Sequence, residues 1–245
     1  RHPAPGRRTG ERRGALASGC PGRPHRPGGR GRCDGTRPGA RPAVALMRLL
    51  SSPASPFVRK VRVLLLETGQ TDIEVVAVTA HPLGGDASLN AAAPLGKIPA
   101  LERDSGPTLF DSRVICRFLD ARAKAGLYPE DRIWEVLTLE ALADGIMDAA
   151  VISVYEKRAR PEHLWHQPWL DAQWEKVTRG LDALNRQWLS HLHGPLTIGQ
   201  IATGCALSYL DFRHADKPWR DGRDALADWH AGFAARPSMT ETAPE

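Results

Sequence analysis

The stretch Met47–Gly69, MRLLSSPASPFVRKVRVLLLETG, constrains the fold of this chain more than any other part of it. Its first residues, Met47–Leu50, are mostly apolar and predict a short strand. The serine- and proline-rich segment Ser51–Pro56 ends that strand. From Phe57 to Leu65 the apolar residues recur at helical spacing. The stretch therefore predicts a strand, a turn and an amphipathic helix, in that order.

The start of this helix carries a polar cap. Pro56 suits the first helical position, because the N–H that proline lacks is not needed there. This makes Ser55 the predicted N-cap, with its hydroxyl beside free backbone N–H groups and the positive end of the helix dipole. Such a position can hold an anion, including a thiolate. Arg59, Lys60 and Arg62 are predicted to lie mostly on the side opposite the apolar residues.

Residues 47–124 predict the order β-α-β-loop-β-β-α. Gly69 ends the first helix, and the β-branched run that follows it is typical of a strand. The predicted elements after the first helix are a strand at Ile73–Val78, a loop with one helical turn at 81–95, strands at Lys97–Leu101 and Pro107–Phe110, and a helix that begins after Asp111 and Ser112.

From Pro129 onward the sequence has no strand signal. The run Thr197–Gln200 matches the Ser/Thr-x-x-Glu/Gln capping box and precedes an apolar segment, which indicates a helix start. We therefore predict a small α/β domain at residues 47–124 and an all-helical domain at 129–243. The predicted helices of the second domain are Ile133–Arg158, Pro168–His191, Ile201–Arg213 and Asp224–Ala235.

Residues 1–46 differ in composition from the rest of the chain. They hold eleven arginines, no lysine and two acidic residues, a net charge of +9; since the whole chain carries +5, residues 47–245 carry −4. The basic balance is therefore no argument that the folded part binds nucleic acid. With so few apolar residues the segment is expected to be disordered. We interpret it as an upstream translation artefact, with Met47 as the true start; a nucleic-acid-binding arm is the alternative.

The cysteines give an expectation about the compartment. Cys20, Cys33, Cys116 and Cys205 show neither paired nor metal-like spacing, and no secretory signal precedes them, which fits a reducing cytoplasm. No apolar run approaches the roughly 18–20 residues that a membrane span needs. We expect a cytoplasmic protein with no metal site and no membrane contact.

Four segments, in the right order and at the right intervals, resemble those of glutathione S-transferases. Ser52–Val61 (SPASPFVRKV) is similar to the first βα turn of bacterial members. Asn90–Leu101 (NAAAPLGKIPAL) resembles the family's N-P-x-G-K-V-P-x-L segment, and Leu109–Ile115 (LFDSRVI) resembles its L-x-[ED]-S-x-x-I segment. Glu140–Ala150 (EALADGIMDAA) is similar to the YibF-like bacterial subgroup. The resemblance covers residues 47–243 and implies an α/β thioredoxin-like N-terminal domain followed by an all-α C-terminal domain.

The resemblance implies that the thiol of glutathione lies at the N-terminus of the first helix, which Ser55 is predicted to cap. A free thiol has a pKa of about 8.5, and a helix N-terminus can lower it until the thiolate dominates at neutral pH. Ser55 is therefore the candidate catalytic residue, as a hydrogen-bond donor to the sulfur. The alternatives are that Ser55 only caps the helix, or that Ser52 takes this role.

Further glutathione contacts follow from the resemblance. Family members carry a cis-proline at the place of Pro99, which exposes the backbone of the preceding residue, Ile98, to the cysteinyl part of glutathione. They bind the γ-glutamyl carboxylate at a helix N-terminus, here Asp111 and Ser112. Lys97 is a candidate for the glycyl carboxylate. The alternatives are an ordinary helix cap for Asp111 and Ser112 and a solvated surface residue for Lys97.

The sequence departs from the cysteine-containing members of the family. Ser55 stands where glutaredoxin-like and omega-type members have cysteine, and Val58 stands where a second redox cysteine would be. Dithiol exchange at this turn is therefore excluded. Cys116 and Cys205 lie within apolar helical patterns and are predicted to be inert core residues. Where the family usually has Asp in the capping box, this chain has Gln200, which can still accept from the N-cap N–H.

The resemblance implies a detoxifying transferase, with glutathione as cosubstrate and a small, mostly apolar electrophile as its partner. The electrophile pocket is expected between the domains, with Met147, Tyr155 and Trp165–Trp169 as candidate lining. One alternative is a non-enzymatic glutathione-fold protein that binds partners. Another is a glutathione-dependent lyase or dehalogenase. Family members are usually homodimers, so a homodimer is expected here.

Overall fold

The structure is a computed structural model that describes residues 47–244. The predicted disorder of residues 1–46 and the predicted start at Met47 lie outside the described residues. The first part of the described chain holds a three-stranded sheet in the order β2-β1-β3. The strands are β1 at Met47–Ser51, β2 at Ile73–Ala77 and β3 at Ala100–Glu102.

β1 is the central strand of this sheet. It pairs in parallel with β2 and antiparallel with β3, where Leu50 lies opposite Ala100. A parallel pair needs a crossover connection, and helix α1, Pro56–Glu67, supplies it. The predicted thioredoxin-like β-α-β start is therefore confirmed.

The prediction of a fourth strand at Pro107–Phe110 is wrong. In the described chain this segment meets the sheet through an isolated antiparallel bridge between Leu101 and Leu109. Pro107 has no N–H for a ladder, and its carbonyl accepts from the Arg103 guanidinium at 2.8 Å. Neither the nitrogen nor the carbonyl of Pro107 can therefore extend the strand pairing beyond the Leu101–Leu109 bridge.

The rest of the described chain is mostly helical, and the predicted all-helical second part is confirmed. The predicted helix Pro168–His191 divides at Trp188 into α5 and α6, and the five-residue α9 is too short to show a periodic pattern in the sequence. The helices after α1 are α2 Ala87–Ala92, α3 Ser112–Ala123, α4 Ile133–Ala159, α5 Gln167–Gln187, α6 Leu189–Leu192, α7 Ile198–Arg213, α8 Asp224–Ala234 and α9 Pro237–Glu241, with 3₁₀ turns at Glu130–Arg132 and Glu162–Leu164.

Helix α7 begins with the predicted capping box. The Thr197 N–H donates to Gln200 Oε1 at 2.9 Å, and the Gly199 N–H donates to Thr197 Oγ1 at 3.3 Å. The Gln200 amide also donates to the carbonyls of His191 and Pro195, at 3.0 and 2.7 Å. A carboxylate has no hydrogen for these bonds. Gln200 therefore caps α7 and also ties it to the loop after α6.

One hydrophobic core runs through the sheet and the helices. Leu49 of β1, Leu64 of α1 and Ile115 of α3 belong to the same buried cluster as Met147 of α4 and Ile201 of α7. The strand-containing part and the helical part therefore share a continuous interior. Within residues 47–244, no helix has both the length and the apolar character that a bilayer crossing demands.

Two basic side chains of α1, which were predicted to lie mostly on the side opposite the apolar residues, are buried. Lys60 is 0 % exposed and Arg59 is 7 % exposed. The Lys60 ammonium donates to both carboxylate oxygens of Asp144, at 2.8 and 2.9 Å, and to Glu140 Oε1 at 3.1 Å. These two acids lie one turn apart on α4, on the same face. α1 can bury the cation because α4, and not solvent, covers this side.

Asp144 and Glu140 each have a further partner. Arg113, in the first turn of α3, donates from Nε to Asp144 Oδ2 at 2.8 Å, and the Tyr128 hydroxyl donates to Glu140 at 3.2 Å. Burial by itself lowers the pKa of Lys60, but the two carboxylates outweigh this and the pKa lies above its ordinary value. Burial raises the pKa of Glu140, which the Lys60 ammonium opposes. We call these five residues the Lys60 cluster.

The Lys60 cluster should contribute strongly to stability. Lys60→Met leaves Glu140 and Asp144 buried without the ammonium that both contact. Breaking a buried ion pair from one side costs about 3–5 kcal/mol, so the free energy of unfolding should fall by roughly that amount. Lys157→Met, at an exposed position of α4, should change it by less than about 1 kcal/mol. Urea unfolding measures both variants, and equal losses would contradict the expectation.

His230 of α8 should make the free energy of unfolding depend on pH in the acidic range. It is buried, and its Nε2 lies 3.0 Å from the Ser208 hydroxyl. Burial lowers the pKa of His230 to about 4, and Asp211, 3.8 Å away, opposes this only in part. A histidine whose pKa falls on folding contributes stability above its unfolded pKa, near 6.5, and this stability is lost as the pH falls towards the folded value.

Between about pH 6.5 and 4, the free energy of unfolding of the wild type should therefore fall by up to about 3 kcal/mol more than that of His230→Gln. Glutamine keeps a polar partner for the serine hydroxyl but cannot become charged. The exposed His193, changed to Gln, is the matched control and should follow the wild type. The measurement is urea unfolding across this pH range; parallel curves for wild type and His230→Gln would refute the expectation.

Candidate functional site

Ser55 is the N-cap of α1, as predicted. Its backbone is extended, with φ −85° and ψ 122°, and its Oγ accepts from the Val58 N–H at 3.3 Å. The Ser52 carbonyl accepts from the Ser55 N–H at 3.1 Å and closes the turn after β1. A hydroxyl has one hydrogen and two lone pairs, so the cap leaves the hydrogen free for a second group. Capping the helix and donating to a ligand are therefore compatible.

The Ile98–Pro99 peptide bond is cis, as the resemblance implies. Because Leu50 lies opposite Ala100, the residues before β3 lie beside the chain that leaves β1. This chain continues into the turn that carries Ser55. Among the described residues, the N–H and C=O of Ile98 make no backbone hydrogen bond. They are therefore available to an extended peptide beside the start of α1.

Asp111 and Ser112 form the start of α3, as predicted. Asp111 is the N-cap, and its carboxylate accepts from the Arg113 N–H at 3.0 Å. Ser112 is the first helical residue and is 2 % exposed. The first N–H groups of a helix have no partner within it, and the dipole favours an anion there. The capping role is thus confirmed, and the glutathione contact stays a prediction.

The Lys60 cluster holds the starts of α1 and α3 together. Lys60 lies five residues after Ser55, and Arg113 directly follows Ser112. Both cations bond to the same carboxylate, that of Asp144, which is 1 % exposed. One side chain of α4 therefore fixes the two helix N-termini relative to each other.

Sequence reasoning missed this cluster, although a signal was present. Glu140 and Asp144 stand four residues apart within a segment that is otherwise apolar or small. Two acids on one face of a buried helix need a cation. Lys60 was predicted to lie opposite the apolar residues of its helix, and its partners lie 80 and 84 residues away along the chain.

Lys97 lies at the edge of this site. It directly precedes the Ile98–Pro99 bond, it is exposed, and it forms no ion pair with any residue of the described range. Nothing in the structure restrains its ammonium, so its predicted contact with the glycyl carboxylate remains a prediction.

The two cysteines of the described chain are inert core residues, as predicted. Cys116 and Cys205 are both 0 % exposed. Burial raises the pKa of Cys205 to about 12 and that of Cys116 well above its ordinary value. Both thiols are therefore protonated at neutral pH, and a thiol in this state is a poor nucleophile. Within the described ranges, no three His, Cys, Asp or Glu side chains lie close enough to hold a metal ion.

A narrow cleft lies beside Ser55, between the start of α1 and helix α7. It has no room for a water molecule in this structure. We call it the Ser55 cleft, and its main lining residues are Ser55, Pro56 and Arg59 on one side and Cys205, Tyr209 and Pro244 on the other.

The predicted lining of an electrophile pocket does not match this cleft. Met147 is wholly buried in the core and offers no surface to a ligand. Tyr155, Trp165 and Trp169 are partly or well exposed, but none of them lines the Ser55 cleft. Helix α7 and Pro244 close it instead. The role of Tyr155 and Trp165–Trp169 in lining an electrophile pocket therefore stays a prediction.

Both parts of the chain match family models. Residues 49–126 match the glutathione S-transferase N-terminal domain, and residues 167–232 match the glutathione S-transferase C-terminal domain. The chain is 35 % identical over 203 residues to the uncharacterized GST-like protein YibF of Escherichia coli strain K12, across 81 % of this chain and 98 % of that protein.

Solved structures of similar proteins contain glutathione. A glutathione transferase family member from Pseudomonas fluorescens Pf-5, with bound glutathione, is 45 % identical with a TM-score of 0.79, over 81 % of this chain and 99 % of that one. The corresponding structure with bound S-(propanoic acid)-glutathione has 44 % identity and a TM-score of 0.75, over 81 % and 100 %. A glutathione S-transferase from Methylobacillus flagellatus KT, with glutathione bound, has 38 % identity and a TM-score of 0.71, again over 81 % and 100 %. With both parts matched and such relatives aligned over nearly their whole length, this chain belongs to the glutathione S-transferase family.

Proposed function

We propose that this protein is a glutathione transferase that stabilises the thiolate of bound glutathione and conjugates it to an electrophilic, mostly apolar cosubstrate. The observation that carries the proposal is that Ser55, the Ile98–Pro99 bond and the start of α3 adjoin one another. The first two lie at neighbouring ends of β1 and β3, and the Lys60 cluster ties the start of α1 to that of α3. The glutathione bound by relatives of 45 % and 38 % identity supports the same ligand here.

Each part of glutathione has a chemically suitable partner in this arrangement. The free N–H groups at Asp111 and Ser112 suit the γ-glutamyl carboxylate. The unpaired backbone of Ile98 suits the cysteinyl peptide unit, and the Lys97 ammonium suits the glycyl carboxylate. The thiol then lies at the start of α1, where the Ser55 hydroxyl can donate to it.

The proposed reaction needs no covalent bond to the protein. The glutathione thiol releases its proton to solvent, and the Ser55 hydroxyl and the dipole of α1 stabilise the remaining thiolate. The thiolate sulfur attacks the electrophilic carbon and forms a C–S bond. With an aryl halide, the C–halogen bond breaks and the halide leaves with its electron pair. The bound geometry contributes by holding sulfur and carbon together.

The ligand of the Pseudomonas protein supports conjugation in particular. S-(propanoic acid)-glutathione carries a substituent on its sulfur, and that protein binds it. A site with room for an S-substituted glutathione suits a transferase better than dithiol exchange. The serine and valine at positions 55 and 58 favour the same chemistry, because neither can form a disulfide.

Ser55 is the first residue to test. Ser55→Ala and Ser55→Gly both remove the hydroxyl, but glycine keeps the N-cap within a few tenths of a kcal/mol. If the hydroxyl stabilises the thiolate, both variants should lower kcat for chlorodinitrobenzene by about 100-fold. The pKa of the bound thiol, followed by its ultraviolet absorbance, should rise towards about 8.5.

Ser52→Ala is the matched control for the Ser55 variants, since it alters the same turn and tests the other candidate serine. It should keep the wild-type rate. A wild-type rate in Ser55→Gly would show that Ser55 only caps the helix. Retention on glutathione–agarose without turnover of any electrophile would favour a non-enzymatic binding protein.

The family resemblance also leads us to propose a homodimer that resides in the cytoplasm. Light scattering on the purified chain tests the oligomeric state, and a monomer mass would contradict the proposal.

A further inference from the structure

Arg59 is a buried cation that lacks a carboxylate partner within the described chain. It is 7 % exposed and forms no ion pair there. Its Nη2 donates to the Met239 carbonyl at 2.8 Å, and its Nε donates to Thr242 Oγ1 at 3.4 Å. Its Nη1 makes no hydrogen bond to any described residue. The adjacent Lys60, by contrast, contacts two carboxylates.

Arg59 and Lys60 are neighbours and both are buried, but only Lys60 contacts carboxylates. A buried charge without an opposite charge is costly. Burial lowers the pKa of Arg59, but an arginine guanidinium remains protonated in proteins. The positive charge therefore persists, and the two neutral oxygen acceptors from α9 and the residue after it only orient the guanidinium. An anion bound at Nη1 would balance this charge.

The position of Arg59 identifies where such an anion would lie. Arg59 follows Ser55 by four residues, so the two lie on the same face of α1 with Cβ atoms roughly 5–6 Å apart. Both line the Ser55 cleft. Arg59 therefore belongs to the same cleft as the residue that is proposed to stabilise the thiolate.

The other walls of the Ser55 cleft also suit an anion. Burial raises the pKa of Tyr209 to about 12, so its hydroxyl stays a neutral donor, and Cys205 is a neutral thiol. None of the cleft's described lining residues is acidic. Pro244, a further lining residue, belongs to no helix or strand. Because the cleft has no room for a water molecule as it stands, an anion can enter only if this lining moves apart.

We propose that Arg59 binds an anionic group of the cosubstrate, most simply a carboxylate, and so selects electrophiles that carry one within about a helical turn of the attacked carbon. The planar guanidinium fork matches a carboxylate in geometry and charge. This inference rests on the proposed transferase function and adds a substrate class to it.

Two electrophiles that differ only in charge test the inference. Chloronitrobenzoate and chloronitrobenzamide, each with the chlorine para to the carboxyl-derived group and ortho to the nitro group, undergo the same substitution by glutathione. For each, kcat/KM is divided by the rate constant of the uncatalysed reaction. The wild type should then favour the benzoate by about ten- to a hundredfold, as expected for a charge-assisted hydrogen bond.

Variants assign that preference to Arg59. Arg59→Met should bring the benzoate-to-benzamide ratio close to one, and Arg59→Lys should retain part of the preference. Arg62→Met changes a cation of the same helix that does not line the cleft, and it should keep the wild-type ratio. A purely structural role for Arg59 would lower both rates together and leave the ratio unchanged.

Three results would overturn the inference. The first is a ratio near one in the wild type, which needs no variant and so stands even if Arg59→Met fails to fold. The second is an unchanged ratio in Arg59→Met. The third is a parallel fall of both rates with a raised pKa of the bound thiol, which would place the effect of Arg59 on glutathione itself.

Failure of the transferase proposal can be told apart from failure of this inference. If neither electrophile reacts, the transferase proposal fails. Calorimetry with the two synthetic product conjugates, S-(carboxynitrophenyl)glutathione and its carboxamide, then still tests Arg59. The carboxylate conjugate should bind the wild type about ten- to a hundredfold more tightly, and equal affinities would overturn the inference.

Discussion

The contact of the Lys60 ammonium with Glu140 and Asp144 is the interaction on which the rest of this structure depends. A buried ammonium is tolerated only where its charge is matched inside the protein, and the same holds for the two carboxylates. Apolar packing between α1 and α4 has no direction of its own. The hydrogen bonds of 2.8 to 3.1 Å at Lys60 are directional, and they fix which turn of α1 meets which turn of α4.

The candidate glutathione site inherits its geometry from this contact. Ser55 begins the helix that Lys60 anchors, and Ser112 begins the helix that Arg113 anchors. Because Asp144 accepts from both cations, a shift of either helix would disturb a buried carboxylate as well as the site. The distance between the proposed thiol end and the proposed γ-glutamyl end is thus set by a residue of α4 that belongs to neither helix. The helical part of the chain is therefore part of the site's framework.

The sequence predicts those features of the structure that depend on residues close together along the chain. The cap at Ser55 and the capping box at Gln200 follow from residue types a few positions apart, and both are present. The burial of Lys60 depends on acids about 80 residues away, and no local pattern shows it. The wall opposite Ser55 likewise depends on how α7 passes the start of α1. Tyr209 lies there, and no local pattern in the sequence marks it as a residue of that wall.

The two adjacent cations of α1 have different partners. Lys60 and Arg59 are both buried, and they point to different surroundings because neighbouring residues on a helix differ by about 100°. Lys60 meets carboxylates of its own chain, so its charge is already used in holding helices together. Arg59 meets carbonyl and hydroxyl oxygens, which orient a guanidinium without neutralising it. No described acid neutralises Arg59, and an anion that entered the Ser55 cleft would gain a partner that is already largely removed from water and held in place, which is why we assign it to recognition.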